Sequence, residues 1–186
     1  RGTFGKDSSG RQNNATLKNG TSMSCANGTC PTWATGKYGN AIQLDGSNDY
    51  ADAGNSSDFN IITDMTITAW INLSVGADGT IAAKMESSGG SDKRPYRLYW
   101  SSNKINAQIG GDGSTTTLSG TASVTTGQWT HAALVINGIN ASIYVNGQLD
   151  ASANVTGTRR TSIQNFTIGA DNDGATLVNN FNGIID

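Results

Sequence analysis

From Ala41 to the last residue, short runs of alternating apolar and hydroxyl-bearing side chains recur, each closed by a turn rich in glycine or asparagine. Met65-Thr66-Ile67-Thr68-Ala69-Trp70-Ile71 is the clearest run. Successive side chains of a strand point to opposite faces, so this segment predicts a strand with two unlike faces. Similar patterns predict strands over 80–85, 96–101, 104–109, 115–124, 128–136, 141–145, 148–153, 162–168 and 181–185. Asn137-Gly138 and Asn146-Gly147 fall between strand runs, and Asn-Gly supplies the two positive-φ residues of a type I′ hairpin turn. Residues 1–40 read as turns, and no stretch of a dozen residues carries a helical period. Short strands about 8–12 residues apart predict an all-β sandwich or barrel. With no linker or internal repeat, residues 1–186 form one domain in this reading.

Composition agrees. Gly, Asn, Ser and Thr supply 85 of 186 residues, and these types favour turns and strands over helix interiors. Charged residues are only 14%, against about 25% in an ordinary domain. The net charge is −2, and the one basic cluster, Arg159-Arg160 backed by Lys93-Arg94, is too small for nucleic-acid binding by counterion release. No apolar run is long enough to span a membrane. The chain opens at Arg1 without Met and reads as a processed protein or a fragment.

Cys25 and Cys30 enclose a four-residue loop. With a single His in the chain they cannot complete a four-ligand zinc site, so they read as a small disulfide, which implies an oxidising compartment. Closing so short a loop is worth about 2 kcal/mol in the entropic treatment. Sequons begin at Asn14, Asn19, Asn27, Asn55, Asn72, Asn140, Asn154 and Asn165, about twice the number this composition yields by chance. Together these features point to a glycosylated extracellular or cell-surface protein.

Seven stretches in order form a wider pattern. Asp7-Ser8-Ser9-Gly10 with Asn13–Leu17 opens it, and Gly36-Lys37-Tyr38-Gly39-Asn40-Ala41 leads into Leu44-Asp45-Gly46-Ser47-Asn48-Asp49-Tyr50. Met65–Ile71, Thr126–Ala133, Ile143-Tyr144-Val145-Asn146-Gly147 and finally Phe166–Gly169 with Phe181–Asp186 complete it. The chain resembles a LamG-like jelly-roll domain of the concanavalin A-like lectin/glucanase superfamily. The resemblance implies a two-sheet antiparallel jelly-roll sandwich with one concave sheet, used outside the cell as a glycan-binding or adhesion module. In that family the closing Gly-x-Ile-Asp stretch runs on, whereas here the sequence stops at Asp186. The expectation is either that the sequence is cut short or that a sheet position near the end is filled by something else, and an open position there suits strand addition from another chain.

The resemblance also implies a structural calcium held by Asp186 together with carbonyls of the Asp45-Gly46 turn. A second candidate is Asp171-Asn172-Asp173-Gly174, which places oxygen ligands at i and i+2 before a glycine. Glycosidase chemistry is disfavoured. It needs two carboxylates about 5–9.5 Å apart, the superfamily's hydrolases show Glu-x-Asp-x-x-Glu, and Glu86 is the only Glu here. Asp49 and Asp52, three apart, fall on opposite faces of a strand. His131 has no nucleophile elbow to serve and reads as a packing residue. For sugar stacking, alternation within Tyr96–Trp100 sends Tyr96, Leu98 and Trp100 inward and leaves Arg97 and Tyr99 as the exposed candidates. Trp33, Trp70 and Trp129 read as core. The expected function is a non-catalytic structural or adhesive module whose partner is a glycan or cell-surface protein. The alternative is a subunit of an extracellular filament assembled by strand exchange.

Overall fold

The computed structural model describes residues 4–20, 30–74, 78–86, 93–111, 113–172 and 176–186. The strands β1 (Phe4–Gly5), β2 (Ala15–Asn19), β3 (Thr32–Thr35), β4 (Asn40–Asp45) and β5 (Asp49–Asp52) come first. A 3-10 turn at Ser57–Phe59 leads to β6 (Met65–Leu73), β7 (Gly79–Glu86), β8 (Lys93–Ser101) and β9 (Lys104–Gly111). Next are β10 (Ser114–Ser119), β11 (Trp129–Asn137), β12 (Asn140–Val145) and β13 (Gln148–Asn154). The chain closes with β14 (Phe166–Ile168), the short pair β15 (Asp171–Asn172) and β16 (Leu177–Val178), and β17 (Asn182–Ile185).

Two large antiparallel sheets result. Sheet A has the order β1-β2-β5-β14-β7-β8-β9-β10, and sheet B the order β13-β12-β11-β6-β17-β4-β3. The chain passes repeatedly between them, the pattern of a jelly roll. The expected two-sheet sandwich is what the chain forms. Alternation explains it residue by residue. On β6, Ile71 and Leu73 point inward, and Thr66 and Thr68 point out. The inner faces meet in one core in which Leu98, Ile105 and Ile109 of sheet A pack with Ile71, Leu134 and Ile143 of sheet B, all fully buried.

Four differences from the sequence reading have physical causes. Residues 1–40 contain β2 and β3, whose short runs are hidden among turn residues. β10 stops at Ser119, because beyond Gly120 the Thr121 and Ala122 N–H groups donate to the Asp150 carboxylate instead of to β9. Asn146 and Gly147 both take positive φ, as a type I′ turn requires, but at the preceding hairpin only Gly138 does, and Asn137 ends β11. Finally, β17 does not leave an open position: it lies between β4 and β6 and pairs with both. Cys25, and with it the predicted Cys25–Cys30 bridge, lies outside the described residues.

The central place of β17 depends on Gly183, whose φ is +145° and whose added Cβ would collide with the Asn72 carbonyl. Gly183→Ala is expected to destabilise the fold by about 3 kcal/mol, the combined scale of backbone strain and overpacking, measured by urea denaturation.

Candidate functional site

The outward face of sheet B carries an aromatic surface. β6 and β11 pair with Trp70 opposite His131 and Trp129 opposite Asn72, both pairs on the face away from the core. The Trp70 and His131 rings lie 5.2 Å apart, tilted by 60°. Tyr38, 71% exposed, meets the other side of Trp70 edge-on at 6.0 Å. Lys37 Nζ sits 5.1 Å from the Trp70 ring centroid. Tyr38, Trp70, His131 and the Asn146-Gly147 turn line a shallow pocket of about 330 Å³, the small end of the range for ligand sites, roughly 300–1,000 Å³.

Backbone bonds fix this surface. Asp186 exchanges both main-chain hydrogen bonds with Trp70, at 2.9 Å each. Its carboxylate Oδ2 accepts from the Tyr38 N–H at 2.7 Å and so holds the turn that presents Lys37 and Tyr38. Gly36 lets that turn approach, since a Cβ there would lie 2.5 Å from the same oxygen. On the far side, the His131 N–H donates to Asn146 Oδ1 at 2.9 Å, and the Asn146 N–H to the His131 carbonyl at 2.8 Å. An aromatic ring framed by a cation, an imidazole and amides can stack on the C–H face of a sugar, because the ring face carries negative quadrupole potential.

Several predicted residues are placed differently. Trp70 and Trp129 were expected in the core and are instead partly exposed on the outer face. Trp33 is partly buried against the small cluster of Ala15, Leu17 and Ala51. His131 belongs to the surface, not to the packing. Arg97 was expected to be exposed and is buried. It does lie on the face away from Leu98 and Trp100, but Asp171 and Thr80 close over it. Its Nε is 3.1 Å from Asp171 Oδ2, and Nε and Nη2 donate to the Thr80 hydroxyl at 3.0 and 2.8 Å. The guanidinium rests 4.1 Å from the Tyr99 ring centroid, which withdraws that ring face from a ligand.

The calcium candidates do not converge. The β17–β4 register sets Asn182 opposite Asp45 and Ile185 opposite Ile42, so Asp186 and the Asp45-Gly46 turn are about 13 Å apart along the sheet. Gly46 packs on the Asn182 side chain, where a Cβ would lie 2.7 Å away. Both Asp171 oxygens are occupied: Oδ1 accepts from the Thr80 hydroxyl at 2.6 Å, and Oδ2 from Asn179 at 2.9 Å besides Arg97. Asp173 lies outside the described residues. Among the described residues no three His, Cys, Asp or Glu side chains are grouped as a metal site. Asp45 instead faces Asp49 across a pocket shared with Gln43 and Asn182.

The sequon asparagines differ in access. Asn14, Asn55, Asn140 and Asn154 are exposed, Asn72 is partly buried beside Trp129, and Asn27 lies outside the described residues. The Nδ2 atoms of Asn19 and Asn165 are donated to Asn48 and Asp52. Lys84, fully buried, donates to Asn55 Oδ1 and to the Gln164 carbonyl, each at 2.7 Å, and burial pulls its ammonium down to about 8.

A sequence model of the concanavalin A-like lectin/glucanases superfamily matches residues 45–186, and the chain belongs to that superfamily. The carbohydrate-binding module CBM40 of the Ruminococcus gnavus IT-sialidase, bound to α2,3 sialyllactose, has a similar fold. Its TM-score is 0.68 at 16% identity, over 78% of this chain and 85% of that one. Domain 4 of AbnA, an extracellular arabinanase from Geobacillus stearothermophilus in complex with arabinotriose, gives 0.59 at 22% identity over 92% and 79%. Domains LG4-5 of the mouse laminin α1 chain give 0.61 at 12% identity over 84% and 40%. No curated protein matches the chain in sequence.

Two outcomes test this description. Asp171→Ala leaves the Arg97 charge buried and unpaired, and is expected to cost about 3–5 kcal/mol in chemical denaturation. Asp49 is a carboxyl that burial, and secondarily the Asp45 charge, push up to about 6. Its folded value lies above the unfolded value of about 3.9, so the folded state holds the extra proton. Stability contributed by that proton is present below about pH 4 and lost as pH rises through about 6. Asp49→Asn should therefore gain stability relative to the parent between those limits, measured by urea denaturation near each.

Proposed function

We propose that this chain is a non-catalytic, extracellular glycan-binding and adhesive module, and that it binds through the Trp70 surface of sheet B. The observation that carries the reading is the Trp70 ring held between Tyr38 and His131 on the outward face of a rigid central strand. Sites built on paired strands keep their geometry, and an aromatic body with a polar frame suits a ligand that is apolar on one face and hydroxylated at its edge. Support also comes from the similar folds whose bound ligands are sialyllactose and arabinotriose. The single Glu and the lack of a superfamily-type run of acids support a binding role over hydrolysis.

Calcium and the disulfide belong to the same reading. A structural cation rests on the family resemblance, since the Asp186 carboxylate holds the Tyr38 N–H and the Asp45 carboxylate accepts from the Ser47 and Asn48 N–H groups. The absence of free cysteines among the described residues supports the Cys25–Cys30 staple. No helix among the described residues is long and apolar enough to cross a membrane.

Isothermal titration with sialyllactose and with arabinotriose, after a glycan array, tests the site. The expected result is saturable binding to an array glycan that Trp70→Ala weakens at least tenfold while the far-UV spectrum is unchanged. Binding unaffected by Trp70→Ala, or no glycan bound at all, overturns the reading, and repetition after EDTA separates calcium from the sugar contact.

A further inference from the structure

One cavity among the described residues is not on either outer face. It opens between the two sheets at the margin formed by β2 and β4, with a volume of about 600 Å³. Its walls come from Ala15, Ala53, Phe166 and Ile168 of the sheet A side, Ile42 of sheet B, and Phe59. The Phe59 and Phe166 rings stack at 4.7 Å and 15° to form one wall. Elsewhere the inner positions carry Leu and Ile, as at Leu98, Ile105 and Leu134, and they fill the space. Here Ala15 and Ala53 of the sheet A side leave space beside Phe166, Ile168 and Ile42.

The rim is polar, and its charges are unevenly committed. Asp7 accepts from the Ser9 and Asn13 N–H groups at 2.8 and 2.9 Å. Asp58 accepts from Arg11 at 3.0 Å and from Asn13 at 2.9 Å. Both carboxylates and the arginine are thus engaged with one another and with the loop. Lys6, exposed at the same rim, has no carboxylate partner among the described residues. The formal charges of Lys6, Asp7, Arg11 and Asp58 cancel, and Lys6 is the rim cation to which no carboxylate among the described residues is bonded.

We propose that this cavity binds a single-chain anionic amphiphile of the fatty-acid kind, its apolar tail between the sheets and its carboxylate at Lys6. The volume falls within the roughly 300–1,000 Å³ of small-molecule sites. A peptide segment does not suit the walls, because its N–H and C=O groups would be buried against Ala, Ile and Phe without partners. An alkyl tail carries no such groups. A sugar fails for the same reason as the peptide, so this site is independent of the Trp70 surface.

Calorimetry with dodecanoate below its micelle concentration tests the proposal, with 1-dodecanol as the neutral probe. Saturable dodecanoate binding is expected, with affinity rising roughly fourfold per methylene from octanoate upward. Ala15→Leu/Ala53→Leu fills the cavity, and should abolish binding while the melting temperature holds or rises. Lys6→Glu should weaken dodecanoate at least tenfold and leave 1-dodecanol unchanged. Trp70→Ala should not alter dodecanoate binding, which separates this site from the glycan reading. The proposal is overturned if dodecanoate does not saturate, if the filled variant binds as the parent does, or if Lys6→Glu affects acid and alcohol alike. Should the filled variant fail to fold, the acid–alcohol comparison on Lys6→Glu decides alone.

Discussion

The ion pair between Arg97 and Asp171 is the contact from which the rest of the arrangement follows. It is buried, and every polar atom of the carboxylate is matched, by Thr80, Asn179 and the guanidinium. The pair joins β8 to the segment that carries the chain out of β14 and toward sheet B. Thr80 and Phe181 lock the same segment by donating their N–H groups to Asn179 and Gly169 at 2.8 Å each. Gly79 has no Cβ to keep Phe181 away, and the phenyl ring is fully buried. From this segment the chain runs into β17 in the middle of sheet B. Its final residue, Asp186, meets Trp70 through the backbone and Tyr38 through its carboxylate. The charge pair between sheet A and the short β15–β16 ribbon is thus linked through β17 to the aromatic surface of sheet B. Buried pairs return little net stability, and here the matched geometry serves to hold the segment in one position.

The two outward faces differ in what they leave unused. On sheet A, Lys18 and Asp52 pair at 2.6 Å, Asn165 adds a donor to the same carboxylate oxygen, and Arg97 is spent on Asp171. Polar groups there satisfy one another. On sheet B the outward positions include the ring faces of Trp70, Trp129 and His131, which need no hydrogen-bond partner, with the exposed Lys37 over Trp70. Stacking a ligand on Trp70 therefore costs less than inserting one among the bonded groups of sheet A.

Alternation made most of the fold legible, and it also held the answer to the site. Met65, Ile67, Ala69, Ile71 and Leu73 share one face of β6, so Trp70 falls on the other with Thr66, Thr68 and Asn72. Reading Trp70 as core followed residue type against the period, and the period was right. Arg97 was different. Its strand parity is as expected, but what buries it is Asp171, a residue remote in sequence and brought near only by the crossing segment. The separation of Asp186 from Asp45 likewise rests on the β17–β4 register, which no local pattern announces. The cavity left a fainter trace, in alanines at Ala15 and Ala53 where the neighbouring pattern would admit larger side chains.

The scarcity of charge then has a structural explanation. Asparagine side chains do the work that charged groups do elsewhere: Asn14 accepts from the Asp7 N–H, Asn146 from the His131 N–H, and Asn55 from the Lys84 ammonium. Asn106 donates to the Ser101 and Lys104 carbonyls, and Asn19 bridges to Asn48. A neutral amide offers donor and acceptor together and loses less on partial burial than an ion. Turns that must be pinned without salt bridges favour this residue, and frequent Asn beside frequent Ser and Thr raises the number of sequons as a consequence. At Asn19 and Asn165 the nitrogen a glycan would occupy is already a donor in the fold. The chance share of the sequons is thus a by-product of how the loops are fastened, and the exposed amides of Asn14, Asn140 and Asn154 are the positions where attachment and structure do not compete.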